Sequence, residues 1–379
     1  MRAEPPVPAQ ALAAIRAPFE AAAAQAVDAP ILQPLGLLLD LAGEAMRARL
    51  FVVQAEGGAE ACLRPDFTVA IARQHIEAGA AAGRYLYEGK AFRAAPGDEE
   101  PEEFLQLGLE RFEAADAAAV EAADAETVSL AWRAAQAGGR KDLTLWLGDV
   151  GLFSAFVDSL GLAAPLAARL KRAAGRPRLL QAELARGRTG EPAAEGGRLA
   201  GLLAGLPGAE AAEVLREVWA LAGIEPVGGR GPVEIAQRLV RRAEAAAAPA
   251  LEEDQARAVQ RFLAVSDEPR AALAQVKTAA NGGAAALDAA LAAWDRRLAA
   301  CAAQGVPMDR VRFATALGHA FDYYDGLTFE IRADGLGDAR PVAVGGRYDG
   351  LLSRLGGTGA TGAVGCVVRP WRAFAGGEA

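Results

Sequence analysis

Apolar and polar positions alternate in several short stretches before residue 162 and again after residue 305, and each stretch predicts a β-strand. In RLFVVQAEGGAEACLRP, two apolar runs flank Glu56-Gly57-Gly58, which predicts a hairpin. RYLYEGKAFRAA and EFLQLGLERFEA predict two more strands. In KDLTLWLGDVGLFSAFVDSLGL, alternating leucines predict a strand that runs into Gly148, and a helix should follow.

Apolar residues at helical spacing lie between these strands. PAQALAAIRAPFEAAAAQAV predicts an N-terminal helix that Pro18 interrupts or restarts. After Pro65, DFTVAIARQHIEAG predicts a helix with Asp66 as its N-cap. DAAAVEAADAETVSLAWRAAQAGG predicts a longer helix that ends at Gly138-Gly139.

The pattern changes from about Ala163 to Gln304, where the chain is rich in Ala, Leu and Arg and nearly free of strand-like alternation. Strand patterns return in RVRFATALGHAFDYYDGLTFEIRA, RPVAVGGRYDGLLSRLGG and GAVGCVVRPWRAF. This order predicts an α+β fold, with an antiparallel sheet flanked by helices and an all-helical insertion. The predicted boundaries are 1–162 and 305–379 for the two parts of the core and 163–304 for the insertion.

Composition narrows the class of protein. The chain has 379 residues, 52% hydrophobic and 23% charged, which is typical of a soluble globular protein with two or three domains. Its 3 cysteines form no CxxC pair, so neither a disulfide framework nor a metal site is expected, and no cofactor is implied. Without a secretory signal or a membrane-length apolar stretch, we expect a cytoplasmic protein. A net charge of −8 disfavours a nucleic-acid partner.

Four segments carry a resemblance when they are taken together: LRPDFT, YEGKAFR followed by LQLGLE, FDYYDGLTFE, and VGGRYDGLLSRLGG. Their order and spacing resemble the catalytic core of histidyl-tRNA synthetases, which have a class II synthetase fold. The resemblance covers roughly Phe19 to Gly161 and Val311 to Ala375. It implies a homodimer and a histidine pocket formed by seven residues: Asp66, Thr68, Arg93, Gln106, Glu110, Tyr324 and Tyr348.

The roles implied by the resemblance agree with the chemistry of the ligand. Asp66 and Thr68 would lie near the amino group, Arg93 at the carboxylate, and Glu110 with Tyr324 at the imidazole. A zwitterion with a polar ring needs such an acid, cation and polar aromatic wall. Hydrogen bonds to charged groups contribute roughly 1.5–3 kcal/mol each, so a few of them support micromolar to millimolar binding.

The segments that would bind a nucleotide depart from the synthetase pattern. Ala95 stands where synthetases have the glutamate that reads adenine, and the basic loop that follows is replaced by the acidic PGDEEPEE. These negative charges would repel the phosphates of ATP and tRNA. His319 replaces an arginine, and a histidine cannot form a guanidinium fork.

The third synthetase motif is also altered. Arg369 replaces its glycine and Trp371 its glutamate, so bulk should fill the place of the nucleotide, although Arg372 remains. The chain ends at Ala379, which leaves no room for an anticodon-binding domain. A histidine pocket without this machinery resembles the regulatory subunits of ATP phosphoribosyltransferase. That family implies a short-form catalytic partner, a hetero-oligomer, and histidine as feedback inhibitor of the first step of histidine biosynthesis.

Two other functions remain open at this point. The chain could be a divergent histidyl-tRNA synthetase or another ATP-dependent amino-acid ligase, or an assembly scaffold with a vestigial pocket.

Individual residues of the predicted pocket also have structural interpretations. Asp66 could serve only as a helix cap, and Gln106 with Glu110 could be a surface pair on one face of a strand. If FDYYDG is a strand, Tyr323 and Tyr324 point to opposite sides, so Tyr324 lines the pocket and Tyr323 packs in the core.

The remaining polar residues have ordinary structural interpretations. The glycines of VGGRYDG fit a tight strand-to-helix connection, and Arg347 with Asp349 fits an ion pair. His75 is expected to be a surface or packed histidine, whereas His319 either donates to the ligand carboxylate or only fills space. The acidic run is expected to be a solvated loop or to face a basic patch of a partner. Arg64 should brace the loop that carries Asp66.

Overall fold

The computed structural model describes residues 2–42, 44–54, 58, 60–95, 100–114, 117–174, 177–189, 210, 213–214, 216–218, 251–280, 284–317, 323–357 and 361–376. Its helices are α1 Ala9–Ala21, α2 Leu35–Ala42, α3 Thr68–Glu77, α4 Ala117–Ala137, α5 Val150–Ser159, α6 Ala164–Arg172, α7 Pro177–Thr189, α8 Glu253–Leu263, α9 Pro269–Ala279, α10 Ala285–Ala303, α11 Asp349–Arg354 and α12 Pro370–Ala373. Its strands are β1 Gln25–Ala26, β2 Leu32–Pro34, β3 Val52–Gln54, β4 Glu60–Leu63, β5 Gly83–Phe92, β6 Glu103–Ala114, β7 Leu143–Asp149, β8 Ser266–Asp267, β9 Val311–Ala314, β10 Leu327–Ala333, β11 Ala343–Arg347 and β12 Thr361–Val368.

A nine-stranded sheet in the order β1-β5-β6-β12-β11-β10-β7-β9-β8 forms the centre of the fold. Its pairs are antiparallel except β1 with β5 and β7 with β9, which are parallel. A second antiparallel sheet has the order β2-β4-β3. The predicted α+β fold with a mainly antiparallel sheet is therefore confirmed.

The local predictions are confirmed at most elements. β3 and β4 pair as a hairpin, with Val53 opposite Ala61. The N-terminal helix continues through Pro18, which lies inside α1. The prediction for Asp66 was wrong in position, because α3 begins at Thr68 and Phe67 takes the N-cap.

The two faces of the large sheet have different surroundings. Alternate side chains of β6, β7 and β10, such as Leu107, Leu145 and Phe329, belong to the main hydrophobic core beneath α1, α4, α5 and α10. The opposite face carries polar groups, including Gln106 and Glu110, together with a smaller apolar cluster around α2, α3 and α11. This polar face is where the candidate site lies.

The segment predicted as an all-helical insertion contains helices α6 to α10 in its described parts and also one strand. β8 pairs with β9 at the edge of the large sheet, with Ser266 opposite Ala314. A two-residue strand is too short to give an alternating pattern, which is why the sequence did not reveal it. α10 packs against α4 and α5 of the core. The domain boundaries remain a prediction.

A helix that spans a membrane must be both long and apolar. Across the parts of the chain that the structure describes, no helix meets both requirements.

Candidate ligand-binding site

A cavity of about 980 Å³ lies on the polar face of the large sheet. Its size falls within the range of small-molecule sites, roughly 300–1,000 Å³. All seven residues of the predicted histidine pocket line this cavity: Asp66, Thr68, Arg93, Gln106, Glu110, Tyr324 and Tyr348. They come from five separate parts of the chain, and the fold brings them together.

Strand β6 contributes three of the residues that line the cavity. Phe104, Gln106 and Glu110 occupy alternate positions of this strand and therefore project from one face. Because a strand rises about 3.3 Å per residue, Phe104 and Glu110 lie roughly 20 Å apart along it. We call the region around Glu110 the inner end of the cavity and the region around Phe104 the outer end.

The inner end is centred on the carboxyl group of Glu110, which is 1% exposed. Thr68 Oγ1 donates to Glu110 Oε1 over 2.7 Å, and the Tyr348 hydroxyl donates to Oε2. Burial raises the pKa of Glu110 to about 8, although both hydrogen bonds act against this rise. Near pH 7 the group is therefore largely a neutral acid, hydrogen-bonded to the hydroxyls of Thr68 and Tyr348.

Three tyrosine rings form the aromatic wall of the inner end. The ring centroids of Tyr323 and Tyr324 lie 4.9 Å apart, and Tyr348 is 5.7 Å from Tyr323. Tyr323 is buried in the smaller apolar cluster, as expected, but the prediction that the two rings point to opposite sides was wrong, because Tyr323 and Tyr324 lie in a turn and the following loop rather than in a strand. Tyr323 also lines the cavity, where its hydroxyl donates to Asp66 Oδ2 over 3.4 Å.

Asp66 is the charged group of the inner end, and Arg93 lies between it and Phe104 of the outer end. Burial raises the pKa of the Asp66 carboxyl, and the nearby Arg93 guanidinium acts against that rise. Arg93 Nε donates to the Pro65 carbonyl over 2.9 Å, so this arginine also holds the backbone that carries Asp66. Among the described residues, Asp66 Oδ1 and Gln106 Oε1 are buried without a hydrogen-bond partner. Such atoms are expected where a polar ligand binds.

Two glycines leave room for the inner-end side chains. A Cβ on Gly365, opposite Glu110 on β12, would lie 1.8 Å from Glu110 Oε2. A Cβ on Gly346 would lie 2.7 Å from the Tyr324 ring. The prediction that the glycines of VGGRYDG form a strand-to-helix connection was wrong for Gly345 and Gly346, which lie within β11. They permit close approach of side chains.

The outer end contains two buried arginines, Arg369 and Arg372, and the partly buried Arg93 lies beside them. The Arg369 guanidinium lies 3.7 Å from the Phe104 ring centroid, and that of Arg93 lies 5.4 Å from it. Arg372 Nη2 donates to Glu100 Oε2 over 2.8 Å. Burial and the neighbouring charge of Arg372 lower the pKa of Arg369 to about 9. The bulk predicted here comes from Arg369, whereas Trp371 packs against Phe374.

The described part of the acidic run, from Glu100 onward, differs from both interpretations drawn from the sequence. Residues 96–99 lie outside the described residues, but Glu100 lines the cavity. Its carboxylate pairs with Arg340 at 2.8 Å as well as with Arg372. The described part of the run therefore folds against arginines of its own chain. The interpretation of His319 also lies outside the described residues.

Other polar residues have the structural roles expected of them. His75 is buried, stacks on Phe112 and lies 2.9 Å from the Tyr85 hydroxyl, so it is a packed histidine. Arg347 pairs with Asp349 at 2.8 Å. Arg64 donates through Nε to the Lys90 carbonyl over 2.8 Å, and its guanidinium lies 4.1 Å from the ring centroid of Phe67, the residue after Asp66.

The chain is similar in sequence to known proteins. A family model described as histidyl-tRNA synthetase matches residues 9–218 and 209–370. The ATP phosphoribosyltransferase regulatory subunit of Mesorhizobium japonicum is 36% identical over 345 residues, which cover 89% of each chain. The protein of the same name from Brucella anthropi is 35% identical over 349 residues, with 90% of each chain covered.

Solved structures show the same fold. An ATP phosphoribosyltransferase regulatory subunit/histidyl-tRNA synthetase from Bacillus halodurans matches with a TM-score of 0.61 at 20% identity, covering 96% of this chain and 77% of that one. Histidyl-tRNA synthetase from Nostoc sp. PCC 7120 has a TM-score of 0.60 at 14% identity, covering 96% and 69%. The fold is thus the class II synthetase fold of histidyl-tRNA synthetases. Within that fold, the chain belongs to the family of ATP phosphoribosyltransferase regulatory subunits, which confirms the resemblance found in its motifs.

Proposed function

We propose that the cavity binds L-histidine and that this chain confers feedback control on ATP phosphoribosyltransferase. The catalytic partner is a short-form ATP phosphoribosyltransferase subunit, a glycosyltransferase, and this chain is a homodimer within the hetero-oligomer. The chain itself carries out no reaction. Its binding of histidine reports the level of the end product to the first step of histidine biosynthesis in the cytoplasm.

The observation that carries the proposal is the set of groups around the inner end of the cavity. Asp66 supplies an anion for the ligand ammonium, Arg93 a cation for the carboxylate, and Glu110 with the tyrosines a polar wall for the imidazole. Asp66 Oδ1 and Gln106 Oε1 are buried without partners among the described residues. A ligand with donors in these positions removes the cost of leaving them unpaired.

The outer end supports a regulatory role rather than an enzymatic one. Arg372 is paired with Glu100, and Arg369 Nη2 donates to Glu4 Oε1 over 2.7 Å. These acids neutralise cations that a triphosphate would otherwise bind. Activation of an amino acid depends on electrostatic stabilisation of the reacting phosphate, and these paired arginines are poorly suited to provide it.

The experiment is a reconstitution of the full-length chain with a short-form catalytic subunit. We expect histidine to inhibit phosphoribosyl transfer by the complex, with a coupling free energy of about 1–3 kcal/mol. Gln106→Ala in this chain should shift the inhibition curve to higher histidine while the complex still assembles. Gln33→Ala is the matched control, because Gln33 is also a buried glutamine but lies in β2 of the small sheet and donates to the Pro30 carbonyl.

Two outcomes would contradict the proposal. Equal inhibition of the wild-type and Gln106→Ala complexes would mean that histidine acts elsewhere. Histidine-dependent exchange between ATP and pyrophosphate by this chain alone would show an amino-acid ligase instead of a regulatory subunit.

A further inference from the structure

The N-terminal residues of the chain are bound to the start of β6, beside the outer end of the cavity. The Glu4 amide donates to the Glu103 carbonyl over 2.8 Å, and the Glu102 amide donates to the Arg2 carbonyl over 2.8 Å. Ala3 and Glu103 form a parallel bridge. These backbone contacts fix the position of Glu4, which is only 5% exposed as a whole residue.

The buried Glu4 carboxylate has two partners. Oε1 accepts from Arg369 Nη2 over 2.7 Å, and Oε2 accepts from the Leu105 amide over 3.2 Å. The side chains of Arg369 and Glu4 are 10% and 2% exposed, so water screens this pair weakly. Because Arg369 itself lines the cavity, Glu4 controls the charge that the cavity wall presents there.

The surroundings of Arg369 are otherwise rich in positive charge. The charges of Arg93 and Arg372 both act to lower the pKa of Arg369, and Glu4 acts against them. Among the described residues, Arg369 Nε is buried without a hydrogen-bond partner. Without the Glu4 carboxylate, the outer end would hold an uncompensated guanidinium with free donor capacity. Such a group binds phosphate oxygens strongly.

We propose that Glu4 is a specificity-determining residue that excludes diphosphate- and triphosphate-bearing ligands from the outer end of the cavity. Its carboxylate takes the place of an external anion on Arg369 and leaves the cavity selective for a small zwitterion. This inference goes beyond the proposed function. It depends on the cavity being a ligand site but not on histidine being the ligand.

The test compares pyrophosphate binding by full-length variants, measured calorimetrically at low ionic strength. Glu4→Gln keeps the shape of the side chain and removes its charge. We expect this variant to bind inorganic pyrophosphate at least tenfold more tightly than the wild type. The double variant Glu4→Gln/Arg369→Gln should lose the gain. Glu77→Gln, which makes the same charge change at an exposed residue of α3, should behave like the wild type.

Three results would overturn the inference: equal pyrophosphate affinity in the wild type and Glu4→Gln, the same gain in Glu77→Gln, or a gain that persists in the double variant. If Glu4→Gln is unstable, pyrophosphate should raise its Tm and leave the Tm of the wild type unchanged, because a bound ligand stabilises the folded state. If pyrophosphate does not raise the Tm of Glu4→Gln, the inference is also overturned.

Histidine titrations of the same proteins test the proposed function separately. Absence of histidine binding by the wild type would contradict the proposed function, but the pyrophosphate comparison would still be valid.

Discussion

Thr68 Oγ1 donates to Glu110 Oε1 over 2.7 Å and so joins the first turn of α3 to the middle of β6 at the base of the cavity. The two residues are 42 positions apart in the chain. Thr68 was expected beside the amino group of a ligand, but its hydroxyl is used to hold Glu110. The carboxyl that we propose faces the ligand ring is thereby held in position by a contact within the chain itself.

Gly365 is required for this arrangement. Its alanine variant would bring a Cβ within 1.8 Å of Glu110 Oε2 and within 2.9 Å of the Leu109 carbonyl. We expect Gly365→Ala to cost about 1–3 kcal/mol of unfolding free energy, as overpacking typically does, and to weaken histidine binding. Denaturant unfolding and calorimetry measure the two effects. Gly36→Ala is the control, because a Cβ there meets nothing within 4 Å in helix α2. An unchanged stability of Gly365→Ala would mean that Glu110 does not occupy this position.

The stability of the protein should depend on pH through Glu110. Burial raises the pKa of this carboxyl to about 8 in the folded state, against about 4.3 in an unfolded chain. Its contribution to stability is therefore fully present below the lower pKa and is lost as the pH rises through 8. The slope reaches up to about 1.4 kcal/mol per pH unit between the two pKa values. Glu110→Gln should remove that part of the pH dependence in denaturant unfolding at pH 5 to 8. Parallel curves for the variant and the wild type would refute it.

Histidine affinity should pass through a maximum between about pH 6.5, the ordinary pKa of an imidazole, and pH 8, the pKa of Glu110. In this interval the imidazole is neutral and Glu110 is protonated, so the acid O–H can donate to the unprotonated ring nitrogen without a net charge in the buried pair. At lower pH the ring gains a proton and at higher pH the acid loses one, so the pair then carries a net buried charge. Calorimetric titration from pH 5.5 to 9 measures the profile. A flat profile would indicate that the imidazole does not contact Glu110.

A buried ion network connects α10 to α4 and to β11 of the large sheet. Asp124 on α4 is 1% exposed and accepts from Arg297 of α10 and Arg347 of β11, at 2.7 and 2.9 Å. Asp124→Asn removes the carboxylate shared by the buried Arg347, which keeps Asp349, and by the partly buried Arg297, and should cost about 3–5 kcal/mol. Glu121→Gln, one turn away, breaks a pair with the mainly exposed Arg296 and should cost about 1 kcal/mol or less. Equal costs in chemical denaturation would contradict the burial of this network.

The sequence predicted the residues of the inner end because each lies within a short motif. It could not predict that Tyr323 also lines the cavity, since Tyr323 and Tyr324 lie in a turn and the following loop rather than in the assumed strand. Nor could it predict the pairing of Glu4 with Arg369, residues 365 positions apart that lie on no shared motif. Local patterns specify elements and their exposed faces, whereas such contacts depend on how distant elements pack.

The measurement that tests the central claim most directly is a calorimetric titration of the full-length chain with L-histidine. We predict saturable binding between about 1 μM and 1 mM, or −8 to −4 kcal/mol, and at least tenfold weaker binding by Asp66→Asn, which removes the anion for the ligand ammonium. Absence of binding by the wild type at millimolar histidine, or unchanged affinity in the variant, would contradict the assignment of the cavity.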